Sequence, residues 1–391
     1  CFIKNKRKHM YPTISYLLED LFGINIPLPI QTFGFFVALS FIAGAYFISK
    51  EFKRKEKEGL VSKIKQKKLV GEGMTIKDWF SSIIGGFLIG FKLVEAIFDY
   101  NSLVQNPQEF ILSTKGSIIG GILVALISSF TKYKEKEKTK LPKPKFIEQD
   151  VHPYQLVGNM IMIAAISGII GAKIFASLEN WGDFVKDPIG QLLSFSGLTF
   201  YGGLIFGAIS VSYYAKKNGI KLLHLIDVFA PSLILAYGIG RAGCHFSGDG
   251  DWGIVASNQP EWWFLPDWMW SYNYPNNVIN EGILIPGCEG KFCYQLAENV
   301  YPTPIYEIIM AGLIFLFLWS IRKKIKIPGM LFFIYLILNG IERFFIEKIR
   351  VNTKYDLLGG ITQAEIISSI LILIGIIGIF VLIKRKENYY Q

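Results

Sequence analysis

The chain has 391 residues, 51% hydrophobic and 18% charged, with a mean hydropathy of +0.36 and a formal net charge of +10. Its apolar residues fall in long blocks and not in alternating patterns, which excludes a string of soluble domains and indicates a polytopic membrane protein. The basic residues behind the net charge gather in alternate loops, so they report topology and argue against nucleic acid as a partner.

In chain order, the first segment opens on Cys1 and carries Lys4, Lys6, Arg7 and Lys8, against the charge pattern of the rest. Met10 is the expected start, and residues 1–9 are read as an upstream extension of a short outer segment 1–29. Apolar blocks near membrane length follow at 30–49, 79–98, 117–131, 157–178, 198–215, 225–246, 305–321, 328–347 and 363–383. They predict an all-α fold of about nine transmembrane helices. The expected plan is a membrane bundle over 30–246, an extracytoplasmic head over 247–304, and C-terminal helices with a tail over 305–391. Loops 50–78, 132–145, 216–221, 322–326 and 384–391 hold 27 Lys and Arg, against 6 in the opposite loops. The positive-inside rule then sets the N-terminus outside and the C-terminus in the cytoplasm.

The bundle contains an internal repeat at a spacing of about 81 residues. Gly90-Phe91-Lys92-Leu93 aligns with Gly171-Ala172-Lys173-Ile174, Asn106-Pro107 with Asp187-Pro188, Gly116 with Gly197, and Gly120-Gly121 with Gly202-Gly203 after a one-residue slip. The copies, 79–131 and 157–215, are helical hairpins of parallel topology. Tyr201 precedes the second glycine pair where Ile119 precedes the first, which makes the second hairpin the expected working copy.

Arg241 closes a charge-free run from Val228 to Gly240. An arginine at membrane depth costs at least about 2.5 kcal/mol on insertion scales and marks a functional site with an anionic partner. The surrounding glycines suit a turn lining a polar cavity. The head that follows is rich in tryptophan, with Trp252, Trp262, Trp263, Trp268 and Trp270 expected near lipid headgroups. Cys288 and Cys293 can pair in an oxidising compartment. No metal-ligand pattern occurs, and neither a metal nor an organic cofactor is expected.

Past the head, Tyr306 and Glu307 enter the membrane together. Arg343, Glu347 and Arg350 fall at i, i+4 and i+7, on one helical face. With Lys173 and Asp227 they complete the set of intramembrane ionisable groups. Two arginines near one leaflet can clamp a phosphate bidentately. If that phosphate is a leaving group, the clamp also stabilises charge developing in the transition state. These residues point to a membrane enzyme acting on a phospholipid headgroup; a secondary transporter of a small anionic solute is the alternative. An intramembrane protease has no supporting Ser/His or paired aspartate arrangement.

Five motifs in order carry a resemblance: Phe200-Tyr201-Gly202-Gly203-Leu204-Ile205, Asp227-Val228-Phe229-Ala230-Pro231, Gly240-Arg241-Ala242-Gly243, Tyr301-Pro302-Thr303-Pro304-Ile305-Tyr306-Glu307, and Arg343-Phe344-Phe345-Ile346-Glu347. The sequence resembles the bacterial prolipoprotein diacylglyceryl transferases over about residues 30–385, apart from the hairpin near 79–131. The resemblance implies transfer of the diacylglyceryl group of phosphatidylglycerol to the lipobox cysteine thiol of a prolipoprotein, in the bacterial inner membrane. It implies that Arg241 binds the lipid phosphate and that Arg343 acts with it on the departing glycerol phosphate. Gly202, Gly203, Asp249, Tyr306, Glu307 and Glu347 are the further substrate-binding candidates. Tyr201 stands where many members have histidine, and Phe33 where others have tyrosine. After Gly243 the signature departs from the family's pattern: Cys244 or His245 replaces an amide, and Asp249 replaces a glutamate. Tyr201 and His245 are both open as the base that deprotonates the acceptor thiol, whose ordinary pKa is about 8.5.

Overall fold

The computed structural model describes residues 10–24, 26–194, 199–352, 354–355 and 360–390. The 1–9 extension and Gly197 of the repeat lie outside the described residues. Among the described residues nine helices have 18 residues or more: α1 (Thr32–Lys57), α2 (Ile76–Phe98), α3 (Ile118–Thr139), α4 (Val157–Glu179), α5 (Phe200–Lys217), α6 (Leu222–Ser247), α7 (Thr303–Ile321), α8 (Met330–Glu347) and α9 (Gln363–Tyr390). Each covers one apolar block. Six are long and apolar enough to cross a membrane by length and composition: α1, α2, α4 with the turn before it, α6, α7 and α9. The chain is a multi-pass membrane protein. The second half of α3 turns lysine-rich, and α8 carries Glu342, Arg343 and Glu347, so both score lower as apolar spans.

The chain divides into two compact units, residues 1–61 with 212–391, and residues 62–211. In the first unit α6 packs on α1, α7 and α8, α7 packs on α8, and α8 packs on α9. Ile234, Ala311, Phe315, Leu318 and Leu331 form its buried centre, with Phe47 of α1 against them. Asp227 has a structural post here and not a place beside Arg241. Its carboxylate accepts hydrogen bonds from the Gly329 and Phe332 backbone N–H groups, at 2.8 and 3.2 Å, and pairs with Lys55 at 3.3 Å. A carboxylate on the first turn of α8 satisfies backbone donors that a helix start leaves without intrahelical partners.

The head folds on this unit. Met10, Trp252, Tyr272, Tyr274, Leu296 and Val300 form its core, with Trp268 packed against them. Trp252 therefore fills the head's interior and is not a membrane anchor. Trp262 is exposed, and Trp263 and Trp270 stack edge to face with ring centroids 5.0 Å apart. Cys288 and Cys293 are joined in a disulfide.

In the second unit the repeat is visible in three dimensions. Short helices Tyr100–Gln105 and Pro107–Leu112 follow α2, and Trp181–Lys186 and Pro188–Leu193 follow α4, again 81 residues on. Lys92 donates to the carbonyls of Phe110 (2.7 Å) and Ser113 (2.6 Å). Its counterpart Lys173 donates to the carbonyl of Gln191 (3.0 Å) and to Ser194 Oγ (3.1 Å). Lys173 thus belongs to a repeated loop clasp at helix C-terminal ends, where a cation is favoured. Strands β1 (Ile64–Val70) and β2 (Lys145–Val151) pair antiparallel and frame the first hairpin. β1 falls within the charged loop expected over 50–78, and β2 starts at the last residue of the loop expected over 132–145. Lysines on both faces of β1 mask its alternation, and the partners lie far apart in sequence.

Candidate active site

Arg241 sits on the last two turns of α6, and the expected glycine-rich turn around it is instead helix. The helix continues to Ser247 and stops at Gly248, whose φ of +63° is the left-handed conformation that glycine adopts without a Cβ penalty. Gly238 and Gly243 serve helix packing. A Cβ on Gly238 would lie 2.9 Å from Ala311 Cβ, and one on Gly243 3.0 Å from Phe36 Cβ.

Glu307 enters from the first turns of α7 with no solvent exposure. Three guanidinium groups converge on it: Arg241 Nε at 3.3 Å, Arg343 Nη1 at 3.4 Å and Arg350 Nη1 at 3.5 Å. Tyr237, one turn before Arg241, donates its hydroxyl to Glu307 Oε1 at 2.8 Å. On α8, Arg343 also pairs with Glu347 at 2.8 Å, and Asn352 donates to Glu347 Oε1 at 2.6 Å. Asp251, in the loop after Gly248, pairs with both Arg241 and Arg350. That loop is pinned by Thr303, whose hydroxyl donates to the Asp251 carbonyl at 2.8 Å, and by the Ile254 N–H donating to the Ile349 carbonyl at 2.9 Å. Buried charges are tolerated only when paired and hydrogen-bonded. Here three arginines and the carboxylates of Glu307, Asp251 and Glu347 form one connected cluster across α6, the head loop, α7, α8 and the residues after it.

The two loop aspartates differ. At Asp251 burial pushes the carboxyl pKa up, but Arg241 and then Arg350 outweigh it and hold it below the ordinary value. At Asp249 burial, reinforced by the charge of Asp251, pushes it above the ordinary value. Asp249, the expected glutamate replacement, accepts from the Asp251 N–H at 3.4 Å, whereas Asp251 is the aspartate ion-paired with Arg241. Of the two residues at the amide position, Cys244 is buried with Sγ 3.9 Å from Arg241 Nη1. His245 turns away into the head's aromatic core, its Nδ1 3.3 Å from the Tyr274 hydroxyl and its ring near Trp268 and Tyr272.

Tyr306 donates to the Met269 carbonyl at 2.7 Å and ties α7 to the head. Tyr201, Gly202 and Gly203 lie at the start of α5 in the second unit. Gly202 and Gly171 press backbone to backbone, since a Cβ on either would collide with the other's carbonyl oxygen. The first hairpin repeats the contact between Gly90 and Gly120. The first unit thus brings together Arg241, Glu307, Arg343 and Glu347 among the expected residues. It adds Arg350, which the sequence places only on the helical face of Arg343 and Glu347, and Asp251, Tyr237 and Asn352, to which the sequence alone assigns no role in the site. The signal for Asp251 is an acidic side chain ten residues after Arg241, directly before Trp252-Gly253.

Span-length helices carrying a buried arginine–carboxylate cluster beneath a folded head define a membrane protein built to handle an anionic group. Residues 142–381 match the model of the prolipoprotein diacylglyceryl transferase family, and the chain belongs to that family. It is 32% identical over 233 residues to the phosphatidylglycerol–prolipoprotein diacylglyceryl transferase of Clostridium botulinum, covering 59% of this chain and 82% of that one. Proteins of the same name from Staphylococcus saprophyticus (33% identical; 59% of this chain, 74% of that one) and Bacillus cereus (29%; 69% and 87%) are similar. The family match begins at residue 142, beyond the first hairpin, and the part of the resemblance read over residues 30–78 lies outside it.

Proposed function

We infer that the chain transfers the diacylglyceryl group of phosphatidylglycerol to a prolipoprotein, on the thiol of its lipobox cysteine, giving a thioether and glycerol phosphate. The observation that carries this is the convergence of Arg241 and Arg343, from separate helices, on the one carboxylate of Glu307. A guanidinium has five N–H donors in a planar fork, so an edge engaged by a carboxylate leaves donors to meet a phosphodiester. In the reaction the sulfur forms a bond to the terminal glyceryl carbon, and the carbon–oxygen bond to phosphate breaks with its electron pair leaving on oxygen. The phosphate passes from one negative charge to two. Guanidinium groups already fixed by Glu307, Asp251 and Glu347 favour that change without reorganising.

The thiol proton passes to a base. Tyr201 and His245 are the two candidates for that role, and the enclosure of His245 by aromatic rings counts against His245. The protein lies in the bacterial cytoplasmic membrane with the head outside and the basic loops inside, an orientation supported by the charge bias of the loops and by a disulfide within the head.

The test is incubation of the purified protein with phosphatidylglycerol and a lipobox peptide, read by mass spectrometry of the peptide. Lipidation is expected. Arg241→Gln and Arg343→Gln are each expected to slow it by about 10²–10³-fold, as for loss of a preorganised donor. Absence of lipidated peptide under conditions where a Clostridium botulinum relative produces it would refute the assignment. Tyr201→Phe with turnover near wild type would remove Tyr201 as the base.

A further inference from the structure

Beneath the arginine cluster lies a further acid, Glu342, on α8 directly before Arg343. It is only 4% exposed, and its Oε2 is buried with no hydrogen-bond partner among the described residues. Its Oε1 lies 3.4 Å from the Tyr237 hydroxyl oxygen, whose other neighbour is Glu307 Oε1 at 2.8 Å. The groups near enough to act on Glu342 electrostatically are Glu307, Arg343, Arg241 and Tyr237, with Tyr335 on its own helix.

A tyrosine hydroxyl has one hydrogen to give and lone pairs to receive. The shorter contact commits that hydrogen to Glu307. The contact with Glu342 is then attractive only if Glu342 supplies a hydrogen of its own; a carboxylate there would oppose the tyrosine's lone pairs. Charge balance points the same way. Three arginines already face three ion-paired carboxylates, and a fourth negative charge on Glu342 would leave an uncompensated charge among apolar helices. It would also repel the lipid phosphate that the site is inferred to bind.

We propose that Glu342 is held as the un-ionised carboxylic acid, donating its proton to Tyr237, and that the pair positions Glu307 to receive the three arginines. The chain runs one way, from Glu342 to Tyr237 to Glu307. Tyr237 is fixed a second time by the Arg241 guanidinium, centred 5.1 Å from its ring. Glu342 here is a positioning residue that acts through Tyr237 on Glu307. Its part in turnover rests on the transferase assignment above, whereas its protonation does not.

Two readouts test this on the full-length protein in phosphatidylglycerol bilayers at neutral pH. The infrared difference spectrum between wild type and Glu342→Gln is expected to show loss of the carbonyl stretch of an un-ionised carboxylic acid. Loss of carboxylate bands alone overturns the proposal. In the peptide lipidation assay, Glu342→Ala and Tyr237→Phe are expected to lower turnover about tenfold, the scale of one hydrogen bond to a charged group. Glu342→Gln, whose amide can donate to Tyr237 as the acid does, is expected to recover turnover to within about twofold. A Glu342→Gln protein as slow as Glu342→Ala contradicts the hydrogen-bonding role. A wild type that lipidates nothing but shows the carboxylic acid band counts against the transferase and still supports the protonated Glu342.

Discussion

A carboxylate as fully enclosed as Glu307 is tolerated because three cations and a hydroxyl donor flank it: Arg241, Arg343, Arg350 and Tyr237. The same reasoning separates the two loop aspartates. Asp251→Asn removes the negative partner shared by Arg241 and Arg350 and is expected to slow lipidation about tenfold or more, while Asp249→Asn has the smaller effect on rate. Stability is expected to respond in opposite senses. The native pKa of Asp251 is lowered, so its ionisation stabilises the fold above the ordinary carboxylate value of about 3.9 and that contribution is lost as pH falls through the native value. The native pKa of Asp249 is raised, so the unfolded chain ionises first and stability declines as pH rises from about 3.9 through the native value. Asp249→Asn is therefore expected to raise the unfolding temperature at pH 7, with the gain vanishing below about pH 4. An Asp249→Asn protein less stable than wild type at pH 7 would contradict the burial argument.

Among elements, the hairpins rest on glycine contacts that leave no room for a methyl group. Gly202→Ala drives a Cβ onto the Gly171 carbonyl, which cannot retract without separating α4 from α5, whereas Gly203→Ala meets the Gly168 carbonyl at 3.2 Å. Thermal unfolding is expected to show a loss of about 1–3 kcal/mol for the first and a much smaller one for the second. Asp227→Asn removes the charge that pairs with Lys55 and holds the start of α8, at an expected cost of about 3 kcal/mol. Helices and repeat were legible in sequence because apolar blocks of membrane length and an 81-residue period survive without tertiary information. The ribbon of β1 and β2 was not, since Ile64-Lys65-Gln66-Lys67-Lys68 carries no clean period-two pattern and its partner begins at Lys145. Lys173 and Asp227 were legible as ionisable groups in apolar blocks, but their partners are helix-end backbone groups that only the fold reveals.

For the whole molecule, the arginines were readable because a fixed positive charge in an apolar run has few structural excuses. Tyr237 was not, being unremarkable among leucines and isoleucines. Asp251 was hidden because Asp249, two residues earlier, offers the same carboxylate, and only the fold reveals which of them faces Arg241. What the fold adds is that Arg241 and Arg343, 102 positions apart in the chain, share Glu307. The most direct test of a single phosphate site is a double-mutant cycle on kcat/KM for peptide lipidation, using Arg241→Gln, Arg343→Gln and the pair. A shared site is expected to give strong coupling, the double variant losing at least about tenfold less than the product of the single losses. Losses that simply multiply would mean that the two arginines act independently, and would contradict one site built around Glu307.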